Sequence, residues 1–297
     1  MNVRSRERGP VPSQGTGPLP SFLFPLSSSL FPLSASHFPH APFPTVCQNA
    51  AVVDNAFDDL SLAALYDRLN PWGPGDEFYL GLLREAGSVL DIGCGTGQLL
   101  RRARAEGHRG RLMGLDPAAA MLTQARQARP DVEWVLGDMR VRRWQEEFDL
   151  AVMTGHAFQE LVTDEEIRAC LHAVRAALRD GGRFVFETRN PGARPWERWT
   201  PDRVHEVTAA DGTAVRVWHE VRGESLDRGL VRYTETYDGD GWPAPRTAHN
   251  VLRFLDAGSL EYFLTEAGLR VVEQYGDWER GPLTPGSPEI VTVARKA

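Results

Sequence analysis

Short apolar runs alternate with amphipathic stretches through the middle of this chain. Apolar positions over residues 88–92, 112–116, 132–136, 148–153 and 182–188 form compact blocks. Such blocks read as strands buried on both faces. Between them, residues 98–106, 118–128 and 164–178 place apolar side chains at helical spacing, and residues 76–85 and 257–267 do the same at the flanks. Residues 58–69 read as one more amphipathic helix, ending before Pro71. Strand, helix, strand, helix in regular succession predicts an α/β chain with a parallel sheet covered on both faces. Two last strands, over residues 269–275 and 289–294, should pair as an antiparallel hairpin at the sheet edge.

Residues 189–253 interrupt the alternation. Period-two patterning in 214–221, 230–237 and 247–254, with Gly, Asp and Pro turns between, predicts an antiparallel β insertion between the fifth strand and the last helix. Five of the eight tryptophans lie at or beyond Trp196. Two readings stand for them: a lid or acceptor pocket beside the carboxyl ends of the strands, or the insertion's own small core. Residues 1–50 are rich in Pro, Ser, Phe and Leu, and their prolines break helices and strand ladders. They read as a disordered or non-native extension to a domain spanning 51–297. Arg4, Arg6 and Arg8 before an apolar stretch also fit a signal peptide, although Pro25 and Pro32 interrupt it.

Composition narrows the partners. The 297 residues carry a formal net charge of −7, so nonspecific attraction to nucleic acid or to an anionic membrane is not expected. No apolar run is long enough to span a bilayer. Cys47, Cys94 and Cys170 are far apart and lack metal-ligand spacing, which fits a reducing cytoplasm and no metal site.

The chemistry concentrates at one loop. In Val89-Leu90-Asp91-Ile92-Gly93-Cys94-Gly95-Thr96-Gly97-Gln98 a strand ends in an acid and three alternate glycines precede a helix. Glycine is needed where the chain turns sharply or a ligand touches the main chain. A dinucleotide loop spaces its glycines G-x-G-x-x-G, whereas here the spacing is G-x-G-x-G. The loop therefore suits a nucleoside with an amino-acid tail better than a pyrophosphate, and Asp91 can accept from a hydroxyl or ammonium group.

This loop resembles motif I of the class I S-adenosylmethionine (SAM) methyltransferases, and the resemblance continues downstream. Asp116 closes the second strand, Gly137-Asp138-Met139 follows the third, and Thr154-Gly155-His156-Ala157-Phe158 follows the fourth. The resemblance implies a Rossmann-like three-layer sandwich with a seven-stranded, mostly parallel sheet and an antiparallel last strand. It implies SAM as donor and S-adenosylhomocysteine as product. Asp91 would receive the methionine ammonium, with Gly93, Cys94, Gly95 and Gly97 as the loop beneath. Asp116 would take the ribose hydroxyls, and Pro117 and Met121 would lie beside the nucleoside. Gly137, Asp138 and Met139 would hold the adenine edge, and Thr154 and Gly155 would face the methyl. An alternative for Asp116 is a helix N-cap before Pro117 at the first helical position.

Acceptor chemistry leaves a fainter trace, because methyl transfer is an in-line displacement in which the protein mainly positions its reactants. His156 is the first candidate general base, or else a histidine that only shapes the pocket. Tyr66, in a Tyr-Asp element preceding motif I, and Glu187, at the end of the fifth strand, are the others. His219 and His249 read as ordinary strand-face residues. Glu160, Asp164, Glu165 and Glu166 read as helix N-terminal acids, and Arg140, Arg142 and Arg143 as a solvated loop or a phosphate-binding patch. The expected activity is methyl transfer to N or O of a small molecule. RNA or protein methylation, a non-catalytic SAM or nucleoside binder, and an NAD(P) oxidoreductase are the competing readings.

Overall fold

The computed structural model describes residues 51–52, 57–225 and 228–297; the tail reading for residues 1–50 lies outside them. A seven-stranded sheet contains β2 (Ser88–Ile92), β3 (Arg111–Asp116), β4 (Glu133–Leu136), β5 (Phe148–Met153), β6 (Leu178–Arg189), β11 (Leu269–Tyr275) and β12 (Glu289–Lys296). Their order is β11-β12-β6-β5-β2-β3-β4. The pairs among β4, β3, β2, β5 and β6 are parallel, and β12 runs antiparallel to both β6 and β11. The expected three-layer architecture and edge hairpin are both present.

Alternation along the strands sends neighbouring residues to opposite faces. On one face Leu90, Ala151 and Phe184 pack under α6 (Asp164–Ala177) and α7 (Ala257–Glu266). On the other, Val89, Leu150 and Val185 pack under α3 (Pro74–Arg84) and α4 (Gln98–Ala105). α6 starts at a capping box: Glu166 N–H donates to Thr163 Oγ1 at 3.2 Å, and Thr163 N–H donates to Glu166 Oε2 at 3.0 Å.

The region expected as one helix over 58–69 is two short ones, α1 (Leu60–Ala63) and α2 (Tyr66–Leu69). The break lets Leu62, Ala63 and Leu65 all bury in one cluster with Ala120 and Met121 of α5 (Ala119–Ala128) and with the insertion. The insertion itself comprises β7 (His205–Thr208), β8 (Ala214–Ser225), β9 (Leu230–Gly239) and β10 (Arg246–Arg253). It is antiparallel within itself, as expected. Its sheet also takes β1 (Ala51–Val52), which pairs parallel to β10. β7 escapes sequence reading because three of its four residues are exposed and show no alternation.

Candidate functional site

Because five central strands run parallel, their carboxyl ends open on one side of the sheet, where ligands bind in such folds. β2 delivers Asp91 there, β3 delivers Asp116, and the turn after β4 delivers Asp138. A cavity of about 240 Å³ is lined by Asp116, Asp138, Met139 and Arg140, among others. A narrower one of about 40 Å³ is lined by Asp91, Asp76 and Glu187. Tyr66, Gly93, Thr154 and Gly155 belong to both walls, so the two are lobes of one site.

The glycine loop is the hinge between the lobes. Gly93, Gly95 and Gly97 all have left-handed φ, at 73°, 54° and 74°, a region that costs other residues energy. Gly93 and Cys94 N–H groups donate to Leu115 O at 2.8 and 3.1 Å, which ties the loop to β3. Gly93, Cys94 and Gly95 line the lobes, whereas Gly97 lines neither. Gly97 instead starts α4, and a Cβ there would stand 2.2 Å from the Trp134 ring. Gly97→Ala should therefore lower stability by about 1–3 kcal/mol, read as a shifted midpoint in a urea melt. An unchanged midpoint would remove this packing argument.

Burial sets the electrostatics. Desolvation pushes the Asp91 carboxyl up to about 8, helped by the neighbouring Asp116 and Glu187 charges. It also raises Asp116 to about 6, partly offset by backbone donors. Those donors are Gly95 N–H to Oδ2 at 2.7 Å and Ala118 N–H to Oδ1 at 2.8 Å. The helix itself starts later than the Pro117 reading implied: Ala118 is the N-cap of α5. A carboxylate has about four lone-pair positions, so Asp116 retains acceptors for two ribose hydroxyls.

The residues present fit SAM on an observation independent of motif. Asp91 Oδ1 is buried without a hydrogen-bond partner, and such an atom is stabilised by a bound donor such as an ammonium. Pro117, Met121, Gly137, Asp138 and Met139 line the wide lobe beside Asp116. The site residues expected at the cofactor thus converge on the two lobes, with Gly97 behind them.

Arg140 was missed as part of this wall. Its backbone N–H donates to Asp138 Oδ1 and its Nε to Oδ2, both at 2.8 Å, and its guanidinium also pairs with Glu166. Arg142 donates to Leu136 O, and Arg143 to Arg140 O and Arg142 O. These bonds within the loop account for the three arginines that sequence reading offered as a phosphate-binding patch. Arg140 lies two residues after the motif acid, which is the signal that could have found it. Arg140→Ala should loosen Asp138 and raise the Kd for SAM about three- to tenfold, the size of a lost charge-assisted bond. Calorimetry giving the wild-type Kd would contradict this role.

At the reacting end the three acceptor-side candidates separate. Tyr66 lines both lobes and Glu187 lines the narrow one. His156 lines neither. Its φ of 62° turns the ring behind the site, where Nε2 lies 2.9 Å from Glu289 Oε2. Desolvation drops its pKa to about 3, and burial raises Glu289 to about 8, so the contact joins neutral groups near pH 7. What His156 presents to the site is its backbone N–H, which donates to Glu187 Oε1 at 2.8 Å. Glu187 Oε2 takes the Tyr79 hydroxyl.

Other expectations shift likewise. Glu160 reads from sequence as one of the helix N-terminal acids. It lies instead on the 3₁₀ turn Ala157–Glu160 and lines the wide lobe. His249 lines that lobe too, and His219 is buried beside Glu235 at 3.0 Å. Of the aromatics in and after the insertion, Trp196 and Trp199 form its core with Tyr233 and Phe254, while Trp278 lines the narrow lobe. No tryptophan of the insertion lines either lobe, so its aromatics follow the small-core reading, and Trp278 belongs to the segment between β11 and β12.

Comparison with known proteins agrees with this geometry. A family model described as a methyltransferase domain matches residues 89–182. The dTDP-3-amino-3,4,6-trideoxy-alpha-D-glucopyranose N,N-dimethyltransferase of Streptomyces venezuelae is 34% identical over 194 residues, 63% of this chain and 77% of that protein. The dTDP-3-amino-3,6-dideoxy-alpha-D-glucopyranose N,N-dimethyltransferase of Streptomyces fradiae is 30% identical over 225 residues, 71% of this chain and 84% of that protein. Among solved structures, the CcbJ methyltransferase from Streptomyces caelestis shares the fold, with a TM-score of 0.64 at 22% identity over 82% of this chain and 99% of that one. With relatives of this coverage and a donor cleft already evident in its strand tips, the chain belongs to the class I S-adenosylmethionine-dependent methyltransferases.

Proposed function

We propose that this enzyme methylates an amine nitrogen of a small polar molecule, in the cytoplasm. The observation that carries the reading is the acidic lining of the narrow lobe. Asp76, Asp91 and Glu187 line the narrow lobe, whose lining residues include no Lys, Arg or His among the described ones. An acceptor arriving as an ammonium is attracted to such a wall and must shed a proton before its nitrogen can attack. Bound SAM supplies an electrophilic methyl on its sulfonium. The two similar dimethyltransferases are named for sugar amines, which supports nitrogen over oxygen.

Glu187 is our choice for the proton acceptor. Burial raises its pKa, and a more basic carboxylate takes a proton more readily. His156 N–H and the Tyr79 hydroxyl fix its two oxygens, so both act as positioning residues. Tyr66 keeps its phenolic proton, because burial and the neighbouring carboxylates raise its pKa. Its side chain lines both lobes at their junction. Bonds within the 140–143 loop, rather than a basic groove, support a small acceptor over RNA. No helix among the described residues is long and apolar enough to cross a membrane. Cys94 and Cys170 are buried free thiols, which supports a reducing compartment.

The test is incubation with methyl-labelled SAM and a panel of amines, alcohols and carboxylic acids. Label is expected on amine nitrogen. Label found only on hydroxyl or carboxyl oxygen would contradict the reading.

A further inference from the structure

One face of the insertion's sheet is buried, and it is not apolar throughout. Alternation and register put His219 of β8, Tyr233, Glu235 and Tyr237 of β9, and Asn250 of β10 on that face. At one end Tyr237 packs with Leu62 and Met121, and Tyr66 lies against the same cluster. At the other end Tyr233 packs with Trp196 and Trp199. His219, Glu235 and Asn250 form a buried polar strip between the two clusters. Glu235 is a held carboxylate. His219 Nε2 lies 3.0 Å from its Oε1, and the Tyr237 hydroxyl lies beside it. Among the described residues its Oε2 has no hydrogen-bond partner, and neither has Asn250 Nδ2 on the neighbouring strand. The two residues are only 3% and 5% exposed.

Buried polar atoms without partners cost stability, and a fold that keeps two on one face calls for an explanation. Glu235 pairs with Ala248, so Asn250 is its diagonal neighbour across β9 and β10, at a backbone separation of roughly 7–8 Å. A hydroxyl placed between them donates to the carboxylate and accepts from the amide. The strip also stands next to the reacting end. Tyr66, at one end of it, lines both lobes. At the other end, burial raises the Tyr233 pKa, and the charges of Glu235, Glu160 and Arg189 act on it as well. Arg189 follows Glu187 by two residues on β6 and so shares its face. Glu235 lies between Tyr237 and Tyr233, hence between Tyr66 and Arg189. The narrow lobe, at about 40 Å³, takes the amine end of an acceptor and little more, so the acceptor's body extends beyond it.

From this strip we infer that Glu235 and Asn250 bind a hydroxyl group of the acceptor and select hydroxylated amines over plain ones. The inference rests on the amine reading and adds its selectivity. Glu187 takes the proton from the nitrogen, while Glu235 and Asn250 touch a part of the acceptor remote from it. A site built to hydrogen-bond a hydroxyl rejects the analogue that lacks one, because its buried polar groups then stay unpaired.

Two amines that share a ring test it: trans-4-aminocyclohexanol and cyclohexylamine. The wild type is expected to show a kcat/KM at least about tenfold higher for the aminoalcohol. Glu235→Gln and Asn250→Leu should each raise the aminoalcohol KM about tenfold with little change in kcat, the signature of a contact made equally in ground and transition states. The Kd for SAM should stay at the wild-type value. Asn250→Leu removes an unsatisfied buried amide, so the apo variant should melt no lower than the wild type. Equal kcat/KM for the two probes, a variant that keeps the wild-type preference, or turnover of other amines but of neither probe overturns this inference and leaves the amine reading standing. So does a lower melting temperature for Asn250→Leu with unchanged KM. Label on oxygen alone, in the aminoalcohol or in other alcohols and acids, overturns both.

Discussion

Asp116→Ala is expected to raise the Kd for SAM on the order of a hundredfold. The carboxylate stands at the tip of β3 and lines the wide lobe. Two ribose hydroxyls donating to it would each contribute roughly 1.5–3 kcal/mol as bonds to a charged acceptor, and each 1.4 kcal/mol is about tenfold in Kd. The substitution also strips the Gly95 and Ala118 amides of their acceptor. Two buried donors left without partners cost about 1–3 kcal/mol each, so the apo variant should also melt earlier. Asp116→Asn separates the two effects. Its amide oxygen can still accept one backbone N–H, but it cannot take both hydroxyls as a carboxylate does. Calorimetry on folded Asp116→Asn showing wild-type affinity would remove the ribose role.

Asp91→Asn should move stability and binding in opposite directions. An unfolded aspartate titrates near 3.8, while burial holds Asp91 at about 8 in the fold. Between those values the unfolded chain has lost the proton and the native one keeps it. Apo stability therefore falls as pH rises through this window, by at most about 1.4 kcal/mol per pH unit for one group. Asparagine removes that slope, so the apo variant should melt several degrees higher than wild type near pH 8, at roughly 2–4 °C per kcal/mol for a domain of this size. The same change removes the acceptor for the methionine ammonium and should weaken SAM at least about tenfold. In the wild type, SAM affinity should tighten from about pH 6 to about pH 8, because the ammonium favours ionised Asp91. The variant should lack that dependence. A lower melting temperature with unchanged SAM binding would mean that Asp91 is a structural residue.

The sheet was legible because its central strands β2, β3 and β5 are buried almost throughout and read as apolar blocks. The cofactor wall was legible for a related reason: acids and glycines at strand tips break those blocks abruptly. What stayed hidden depends on turns. A φ of 62° at His156 sends the ring away from the cavity and the amide toward Glu187, and no spacing rule anticipates that. The break between α1 and α2 serves tertiary packing, since helical periodicity alone continues through Ala64 and Leu65. β1 joins its sheet through backbone pairing of two residues, too few to leave a pattern. Arg140 looked like one of three surface arginines because its partner Glu166 lies 26 residues away in sequence.

The buried acids of the two lobes also bear on stability before cofactor binds. Asp91, Asp116 and Glu187 are held together in low dielectric, and each raises its pKa by burial before any neighbour acts. A cationic ligand relieves that arrangement, so cofactor binding should also stabilise the fold by mass action. Stability set aside for ligand binding is common at functional sites.

The most direct measurement is a crystal structure with S-adenosylhomocysteine bound. The account predicts the ribose hydroxyls on the Asp116 carboxylate, the adenine edge against Asp138 and the Met139 amide, and the amino group within hydrogen-bond reach of Asp91. A nucleoside seated away from these strand tips, or an amino group far from Asp91, would contradict it.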